Sequence, residues 1–426
     1  MNVINYSEDH LEEIIKRSEE DINNIISTVN DILLDIKENK DKAILSYTEK
    51  FDGVKLDTML VSDEEIRQAY DEIDSSLIDA LKSAANNIKK FHKAEIPKEW
   101  NMDVISGVSA GQIIRPLEIV GCYIPGGRAA YPSTILMTVI PAKIAGVKKI
   151  VCCTPPGKDK KITPAILVAS HIAGADEIYK VGGAQAIGAM AYGSESVPKV
   201  DKIVGPGNIF VTGAKKLVYG DVDIEFPAGP SELLILADDT ANPEFIAHDF
   251  LSQAEHDPNA ACIFVTDSKH LANEVNQEIE SLTQKAVRKE IIESSISKRG
   301  KIVLVSDIDE GIYLTNKYAP EHLIISTKDN NNVLSKINNA GSIFIGDYSP
   351  VACGDYGSGT NHVLPTAGGA RMYSGLSTED FIKKPTVQEV SKEGLNILKN
   401  TIVPIAEYEG FYAHADSVKI RFKEDN

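Results

Sequence analysis

A glycine-rich segment in the last third of the chain carries a carboxylate and an imidazole. Residues 350–365 read PVACGDYGSGTNHVLP, which places Asp355 and His362 among glycines. Glycine lets the backbone turn sharply and approach a ligand closely, whereas it packs poorly within a core strand. The segment therefore predicts a loop that presents both side chains to a bound small molecule.

Three further segments have the same chemical character: residues 252–256 (SQAEH), 319–322 (APEH) and 409–414 (EGFYAH). Together with the glycine-rich segment they supply an acid/base pair and a set of nitrogen and oxygen metal ligands. Such a mixed set suits Zn²⁺, with Mn²⁺ or Co²⁺ as alternatives. The candidate ligands are Gln253, His256, Asp355 and His414. Their wide separation in the sequence leaves the metal site itself open.

Two of these candidates follow a predicted helix. Asn242 and Pro243 form a typical helix start, with asparagine as the N-cap and proline in the first helical position. A helix from there through Ser252 places Gln253 and His256 three residues apart on one face near its end. Glutamine is a poor zinc ligand and two residues do not make a site, so this pair taken alone favours a structural role.

Glu321 and His322 follow Pro320 and precede a predicted strand. Adjacent side chains on extended backbone point to opposite faces, so we expect that the two do not act on the same proton, although a turn of the backbone would let them act on different steps. Histidine is the side chain best suited to accept a proton at neutral pH. The alternative is an exposed glutamate beside the start of a strand.

Two regions alternate short β-rich runs with helical segments, which is typical of parallel sheets built from βαβ units. In the first region such runs begin at residues 117, 149, 177 and 202, and each ends in glycine or proline. In the second region the strand candidates are 233–236, 261–265, 302–305, 323–325 and 342–345. Helical periodicity marks residues 10–50 and 63–93, and residues 377–426 are again helical and charged. We predict an α/β fold with two Rossmann-like parallel-sheet domains and helical N- and C-terminal segments.

Composition excludes several classes of partner. The chain has 426 residues, too many for one ordinary core, and its net charge of −18 argues against binding to nucleic acid or anionic membranes. We expect no signal peptide and no membrane span. The five cysteines lack paired spacing, which indicates reduced thiols and a cytoplasmic location. A thiol nucleophile at Cys152 or Cys153 is conceivable, but no histidine adjoins them.

Nucleotide binding is left open by the residues alone. The GxGxxG fingerprint is absent, because Phe210 and His362 occupy the third-glycine positions of the two GxG pairs. Several junctions between a strand, a glycine turn and a helix could still hold a pyrophosphate on backbone N–H groups. The alternative is that these glycines only permit tight turns.

Eight segments in order resemble the histidinol dehydrogenase family, and the resemblance covers essentially the whole chain. They are residues 123–127, 181–187, 204–208, 228–232, 251–256, 319–323 and 354–362, and Glu409–Gly410 with His414. The resemblance implies oxidation of L-histidinol to L-histidine with two NAD⁺ through bound L-histidinaldehyde, the last step of histidine biosynthesis. It also implies a homodimer in which the C-terminal tail of each chain contributes to its partner's active site.

Roles for individual residues come from the same resemblance. His322 resembles the base for alcohol oxidation, and Glu321 the residue that activates water for the aldehyde step. One Zn²⁺ per subunit would be held by Gln253, His256, Asp355 and His414, and would receive the amine and imidazole of the substrate. Further substrate contacts are implied for Ser231, His362 and Glu409, and NAD contacts for Tyr123, Gln185 and Asn208.

The resemblance also suggests a division into domains. We expect an N-terminal helical segment (1–20), a discontinuous main α/β domain (21–122 and 233–376), an NAD-binding Rossmann-like domain (123–232) and a C-terminal helical tail (377–426).

Three other functions compete with this interpretation. A related dehydrogenase acting on another small alcohol, such as sulfopropanediol, is disfavoured by Glu409, His362 and the full ligand set. A zinc hydrolase, in which a glutamate beside a histidine and a metal activates water, leaves Tyr123, Gln185 and Asn208 without a purpose. The third is a nonenzymatic zinc-stabilised scaffold, and formation of NADH from L-histidinol would separate all of these functions.

Overall fold

The computed structural model describes residues 1, 3–17, 23–126, 130–226 and 229–425. These divide into two compact units. The larger unit comprises Met1–Glu95 and Leu117–Phe381, and the smaller unit comprises Ile96–Pro116 and Ile382–Asn426. The predicted four-part domain division stays a prediction.

Strands and helices alternate along most of the chain, and the elements within 96–116 and 382–426 belong to the smaller unit. The strands are β1 Val3–Asn5, β2 Trp100–Ile105, β3 Val108–Gln112, β4 Arg115–Pro116, β5 Ile119–Tyr123, β6 Lys149–Thr154, β7 Glu177–Lys180, β8 Lys202–Val204, β9 Asp223–Ile224, β10 Glu232–Ala237, β11 Ala261–Thr266, β12 Lys301–Leu304, β13 His322–Ser326, β14 Ser342–Ile345, β15 Ile382–Lys383 and β16 Thr386–Val390. The α-helices are α1 Leu11–Ile15, α2 Asn23–Asp52, α3 Asp63–Asp71, α4 Ser75–Ala94, α5 Pro132–Ala145, α6 Pro164–Ala173, α7 Gly183–Tyr192, α8 Ile209–Val218, α9 Pro243–Ala254, α10 Lys269–Lys285, α11 Lys289–Arg299, α12 Ile308–Tyr318, α13 Asn330–Leu334, α14 Lys392–Tyr408 and α15 Tyr412–Lys419.

The larger unit contains two parallel sheets. A five-stranded sheet has the order β7-β6-β5-β8-β9, and a six-stranded sheet has the order β1-β12-β11-β10-β13-β14. Apolar residues are buried on both faces of each sheet, as expected where helices cover both sides. The predicted α/β class with two parallel sheets is confirmed.

The central strands of the six-stranded sheet are almost wholly apolar. All six residues of β10 (ELLILA) and all six of β11 (ACIFVT) are buried. A continuous apolar run is typical of a parallel strand packed on both faces, and this signal made the second strand region predictable.

Several boundaries differ from the sequence predictions. The helical region 10–50 contains α1 and α2, and α2 has a kink at Lys40, where φ is 51°. Ile22, which belongs to the predicted apolar stripe, lies outside the described residues. The region 63–93 forms two helices, α3 and α4, instead of one.

The smaller unit contains strands that the sequence did not predict. Its three-stranded antiparallel sheet has the order β16-β3-β2, and the predicted helical tail begins with β15 and β16 before α14. Every residue of β16 is exposed, so the strand lacks the alternation of apolar and polar residues that marks a half-buried strand.

Across the part of the chain that the structure describes, no helix is both long and apolar enough to cross a bilayer.

Candidate active site

Two predicted acid/base residues lie at the amino-terminal edge of the six-stranded sheet. His322 is the first residue of β13, and the register of the parallel pair places it beside Leu233 of β10. The chain reaches this edge from α12 through Ala319, whose φ is 51°. Both Glu321 and His322 are buried.

The main chain of Glu232 holds both side chains. Its N–H donates to Glu321 Oε2 at 2.7 Å, and its carbonyl oxygen accepts from His322 Nδ1 at 3.0 Å. His322 Nδ1 and Glu321 Oε2 are 3.5 Å apart. Glu321 precedes the strand and turns with His322 toward β10, so the two side chains do not face opposite ways, and the backbone turn that the sequence interpretation required for separate roles is present.

The side chain of Glu232 is itself fixed. Its Oε1 accepts from Arg17 Nε at 2.6 Å and from the N–H of Ala367 at 3.1 Å. The guanidinium of Arg17 also donates to the carbonyl oxygens of Tyr318 and Ala319, and it lies 4.1 Å from the centre of the Tyr318 ring. Sequence reasoning missed both Arg17 and Glu232. The available signal was a glutamate at the start of a strand that is otherwise apolar.

Burial and charge compete at this site. Burial lowers the pKa of His322. The carboxylates of Glu321 and Asp355 and the Glu232 carbonyl have a larger, opposite effect, so the pKa is raised to about 9. Burial raises the pKa of Glu232 to about 7 despite the opposing effect of Arg17. Burial lowers the pKa of His362, which keeps its imidazole neutral at neutral pH.

A pocket of about 460 Å³ reaches the acid/base pair through Asp355, and neither Glu321 nor His322 is among its lining residues. Its polar wall includes His256, Asp355 and Tyr356, and its apolar wall is formed by α4 and α5. His322 Nε2 is 3.9 Å from Asp355 Oδ1, which connects the pocket to the buried pair. A volume of this size lies in the range of small-molecule sites.

The glycine-rich segment forms a short π-helical turn over Cys353–Gly357, where we predicted an open loop. Such turns are frequent at functional sites. His362 Nδ1 donates to the carbonyl oxygen of Asp355 at 3.1 Å, and its Nε2 is 3.4 Å from Thr134 Oγ1 at the start of α5. Asp355 and His362 are therefore brought together, as predicted.

Three of the four predicted metal ligands belong to the larger unit. The helix predicted to carry Gln253 is confirmed: α9 begins after Asn242, whose side chain accepts from two backbone N–H groups. Gln253 is buried in its last turn, while His256 lies just beyond the helix end with its N–H on the Gln253 carbonyl. His256 and Asp355 both line the pocket.

The donor set fits a metal in part. Gln253 Nε2 and His322 Nε2 are buried and have no hydrogen-bond partner within the described residues, so this region holds polar groups that a ligand could satisfy. An amide nitrogen donates hydrogen bonds and does not coordinate a metal, so Gln253 could be a metal ligand through its Oε1. In the described ranges no three His, Cys, Asp or Glu side chains are grouped to hold a metal ion by themselves. The predicted set differs by including an amide and a residue of the smaller unit, His414.

Glu409 and His414 lie in the smaller unit. Glu409 follows α14, His414 lies within α15, and both are exposed. Their roles at the site stay predictions.

The predicted cofactor residues gather at the carboxyl-terminal edge of the five-stranded sheet, where parallel α/β sheets commonly bind ligands. Tyr123 ends β5, and its hydroxyl accepts from the N–H of Gly183 at 3.0 Å. Gln185 is buried in the first turn of α7. Asn208 caps α8 by accepting from two backbone N–H groups. Burial raises the pKa of Tyr123 to about 12, so its hydroxyl stays protonated.

Close packing shapes this edge. Gly205 follows β8 with φ at 114°, and a Cβ there would lie 2.0 Å from the carbonyl oxygen of Tyr123. Only glycine fits this position. The predicted segments 123–127 and 228–232 extend into residues 127 and 228, which lie outside the described residues. Ser231 is half-buried and immediately precedes β10.

These features define an α/β enzyme in which a carboxylate–imidazole pair adjoins a small-molecule pocket. The family model "Histidinol dehydrogenase" matches residues 15–422. A histidinol dehydrogenase of Methanothermobacter thermautotrophicus is 55% identical over 424 residues and covers 100% of both chains. One of Methanococcus maripaludis is 55% identical over 417 residues, which is 97% of each chain.

A solved structure agrees with these matches. The crystal structure of histidinol dehydrogenase from Elizabethkingia anophelis superimposes with a TM-score of 0.95 at 42% identity, covering 99% of this chain and 97% of that chain. The chain belongs to the histidinol dehydrogenase family and is an oxidoreductase. Membership supports oxidation of histidinol, within histidine biosynthesis, as its activity.

The thiols provide a test of the nucleophile alternative. Cys152 and Cys153 are buried within β6; a hydrogen bond with Cys122 and burial raise the pKa of Cys152, and burial raises that of Cys153. Of the five cysteines only Cys353 is exposed. We predict that Ellman's reagent titrates one thiol rapidly in the native protein and five after denaturation. In Cys353→Ser the rapid phase should vanish; a rapid phase that persists contradicts the assignment.

Proposed function

We propose that the chain catalyses the NAD- and zinc-dependent, four-electron oxidation of L-histidinol to L-histidine through L-histidinaldehyde, the last step of histidine biosynthesis. The observation that carries the proposal is the Glu321–His322 pair, fixed by the Glu232 main chain beside a pocket lined by His256 and Asp355. Family membership supplies the substrate.

The proposed metal ligands are Gln253, His256, Asp355 and His414, and they match the mixed nitrogen and oxygen chemistry that zinc accepts. Bound Zn²⁺ would supply coordination for the amine and imidazole of histidinol, and its positive charge beside Asp355 would favour the neutral form of His322. NAD⁺ would accept one hydride in each of the two oxidations.

The acid/base pair has two tasks. In the first oxidation, neutral His322 accepts the proton of the alcohol, and its Nδ1 stays oriented by the Glu232 carbonyl. In the second, Glu321 accepts a proton from the water that hydrates the aldehyde, and its Oε2 stays oriented by the Glu232 N–H. Each group therefore keeps one hydrogen bond that fixes it and retains another atom for the substrate.

The remaining site residues bind and orient. Ser231, His362 and Glu409 are proposed substrate contacts, together with the metal ligands and His322. Tyr123, Gln185 and Asn208 are proposed NAD contacts, which their position at the carboxyl-terminal edge of the five-stranded sheet supports. Keeping the aldehyde bound between the two steps protects it from side reactions.

We further propose a cytoplasmic homodimer. Glu409 and His414 belong to the smaller unit, and both are exposed. In the proposed dimer they serve the active site of the other chain, so each site combines the body of one subunit with the tail of its partner.

The decisive assay follows NADH at 340 nm with L-histidinol. We predict two NADH for each histidine formed, loss of turnover after prolonged chelation and recovery with Zn²⁺, because the metal orients the substrate. Other small alcohols, including sulfopropanediol, serve as substrate controls. Absence of NADH formation, or full activity in protein shown by elemental analysis to lack metal, contradicts the proposal.

The division of labour predicts a stalled variant. Glu321→Gln keeps the size of the side chain but cannot accept a proton, and removing a general base typically costs roughly 10²–10⁴-fold in rate. The variant should reduce about one NAD⁺ per site rapidly and then slow sharply. Stopped-flow absorbance measures both phases, and Glu293→Gln, an exposed glutamate of α11, is the control. Oxidation of added L-histidinaldehyde at the wild-type rate would show that Glu321 has another role.

A mixing experiment tests the shared site. Asp355→Asn and His414→Asn should each be inactive alone. Random subunit exchange makes about half of the dimers mixed, and each mixed dimer contains one intact site, so about a quarter of wild-type activity should return.

The control mixes the Asp355→Asn chain with a His256→Ala chain. Both changes lie in the larger unit, so no mixed dimer contains an intact site. Native mass spectrometry of differently tagged chains confirms that exchange has occurred. Complete exchange without recovered activity rules out sites formed between chains.

A further inference from the structure

We propose that Arg17 and Glu232 are positioning residues for the Glu321–His322 pair, so that the N-terminal segment carrying Arg17 belongs functionally to the active centre. This inference rests on the roles proposed above for Glu321 and His322. Neither Arg17 nor Glu232 needs to touch substrate or cofactor.

The main chain of Glu232 contacts both side chains of the pair. The N–H and carbonyl of Glu232 bond to Glu321 and His322 respectively, at 2.7 and 3.0 Å. A shift of Glu232 therefore moves both side chains at once. Misplacing a reacting group by about 1 Å can cost on the order of 10²-fold in rate.

Glu232 is itself anchored through its carboxylate, which accepts hydrogen bonds from Arg17 and Ala367. Its carboxylate is buried at the start of β10, where it receives Arg17 and the N–H of Ala367. Arginine presents several N–H donors in a fixed planar arrangement, which suits one carboxylate and additional acceptors at the same time. Arg17 is also largely buried, with 16% of its side chain exposed.

Arg17 also holds the turn before the acid/base pair. Arg17 donates to the carbonyl oxygens of Tyr318 and Ala319, which immediately precede Pro320 and Glu321. One guanidinium thus connects the start of β10 with the turn that enters β13. Lys301 in turn holds the end of α1, because its Nζ donates to the carbonyl oxygens of Glu13 and Ile14 at 2.5 and 2.8 Å.

Charge explains why the anchor matters. Glu232 and Glu321 are two buried carboxylates in mutual repulsion, and Arg17 is the cation that offsets it. Burial raises the pKa of Glu232 and Arg17 lowers it, so without Arg17 this carboxyl either takes up a proton or stays as an uncompensated buried charge. We expect the two carboxylates to rearrange, which withdraws Glu321 from the Glu232 N–H.

The experiment compares Arg17→Met, Glu232→Gln and the double variant. Each single variant should lower kcat on the order of 10²-fold while leaving KM for NAD⁺ nearly unchanged, because neither residue, nor the pair that they position, is a proposed NAD contact. Arg67→Met is the control, since Arg67 forms an exposed ion pair with Glu64 on α3 and should keep wild-type kcat.

The double variant separates positioning from a structural role. Removing both charged partners relieves the unpaired buried charge, so thermal stability should recover relative to Arg17→Met. The anchor is still absent, so kcat should stay low. Recovery of kcat in parallel with stability overturns the proposal, as does wild-type kcat in either single variant.

A structural measurement keeps this test independent of the proposed function. If the wild-type protein forms no NADH from histidinol, the proposed function fails, and positioning is judged by a crystal structure of Arg17→Met. We expect the Glu321 carboxylate to leave hydrogen-bonding distance of the Glu232 N–H. A Glu321 that stays in place overturns the positioning role whatever the substrate.

Discussion

The parallel pairing of β10 with β13 is the constraint on which the active centre depends. It places the first residues of the two strands side by side, so that Glu232 can bond to Glu321 and His322 through its main chain. Main-chain donors and acceptors have positions that the strand itself sets, so the two groups that hold Glu321 and His322 need no further side chain to place them. The apolar core behind β10 thereby fixes the direction of two polar side chains in front of it.

In the proposed active site the two parallel sheets contribute from opposite ends. The acid/base pair lies at the amino-terminal edge of the six-stranded sheet, whereas Tyr123 and the turns after β7 and β8 lie at the carboxyl-terminal edge of the five-stranded sheet. Helix α5, which follows β5, lines the pocket that also contains His256 and Asp355. Ligands of α/β sheets commonly bind at carboxyl-terminal edges, so the amino-terminal location of Glu321 and His322 could not be inferred from that rule.

The sequence predicted those strands and helices that a local pattern of residue types determines. Apolar runs located β10 to β14 within about two residues, and Asn242–Pro243 located the start of α9. The sequence also indicated that Asp355 and His362 lie close together, because both belong to one short segment. It missed β2, β3 and β16, whose largely exposed residues carry little alternation. It missed the ion pair of Arg17 with Glu232 for another reason: the partners are 215 residues apart, and only the fold brings them together.

The short strand β1 imposes an order on how the chain matures. Its residues pair with β12, Val3 opposite Ile302, so β1 cannot take its place in the sheet until β10, β11 and β12 have been synthesised. Long-range pairings of this kind form slowly, because a large loop must close before the contact is gained. Residue 17 follows β1 closely in the chain. Folding of the amino terminus, completed late, would then also be the event that brings Arg17 to Glu232, so a nascent chain has most of its core before it has an ordered reaction centre.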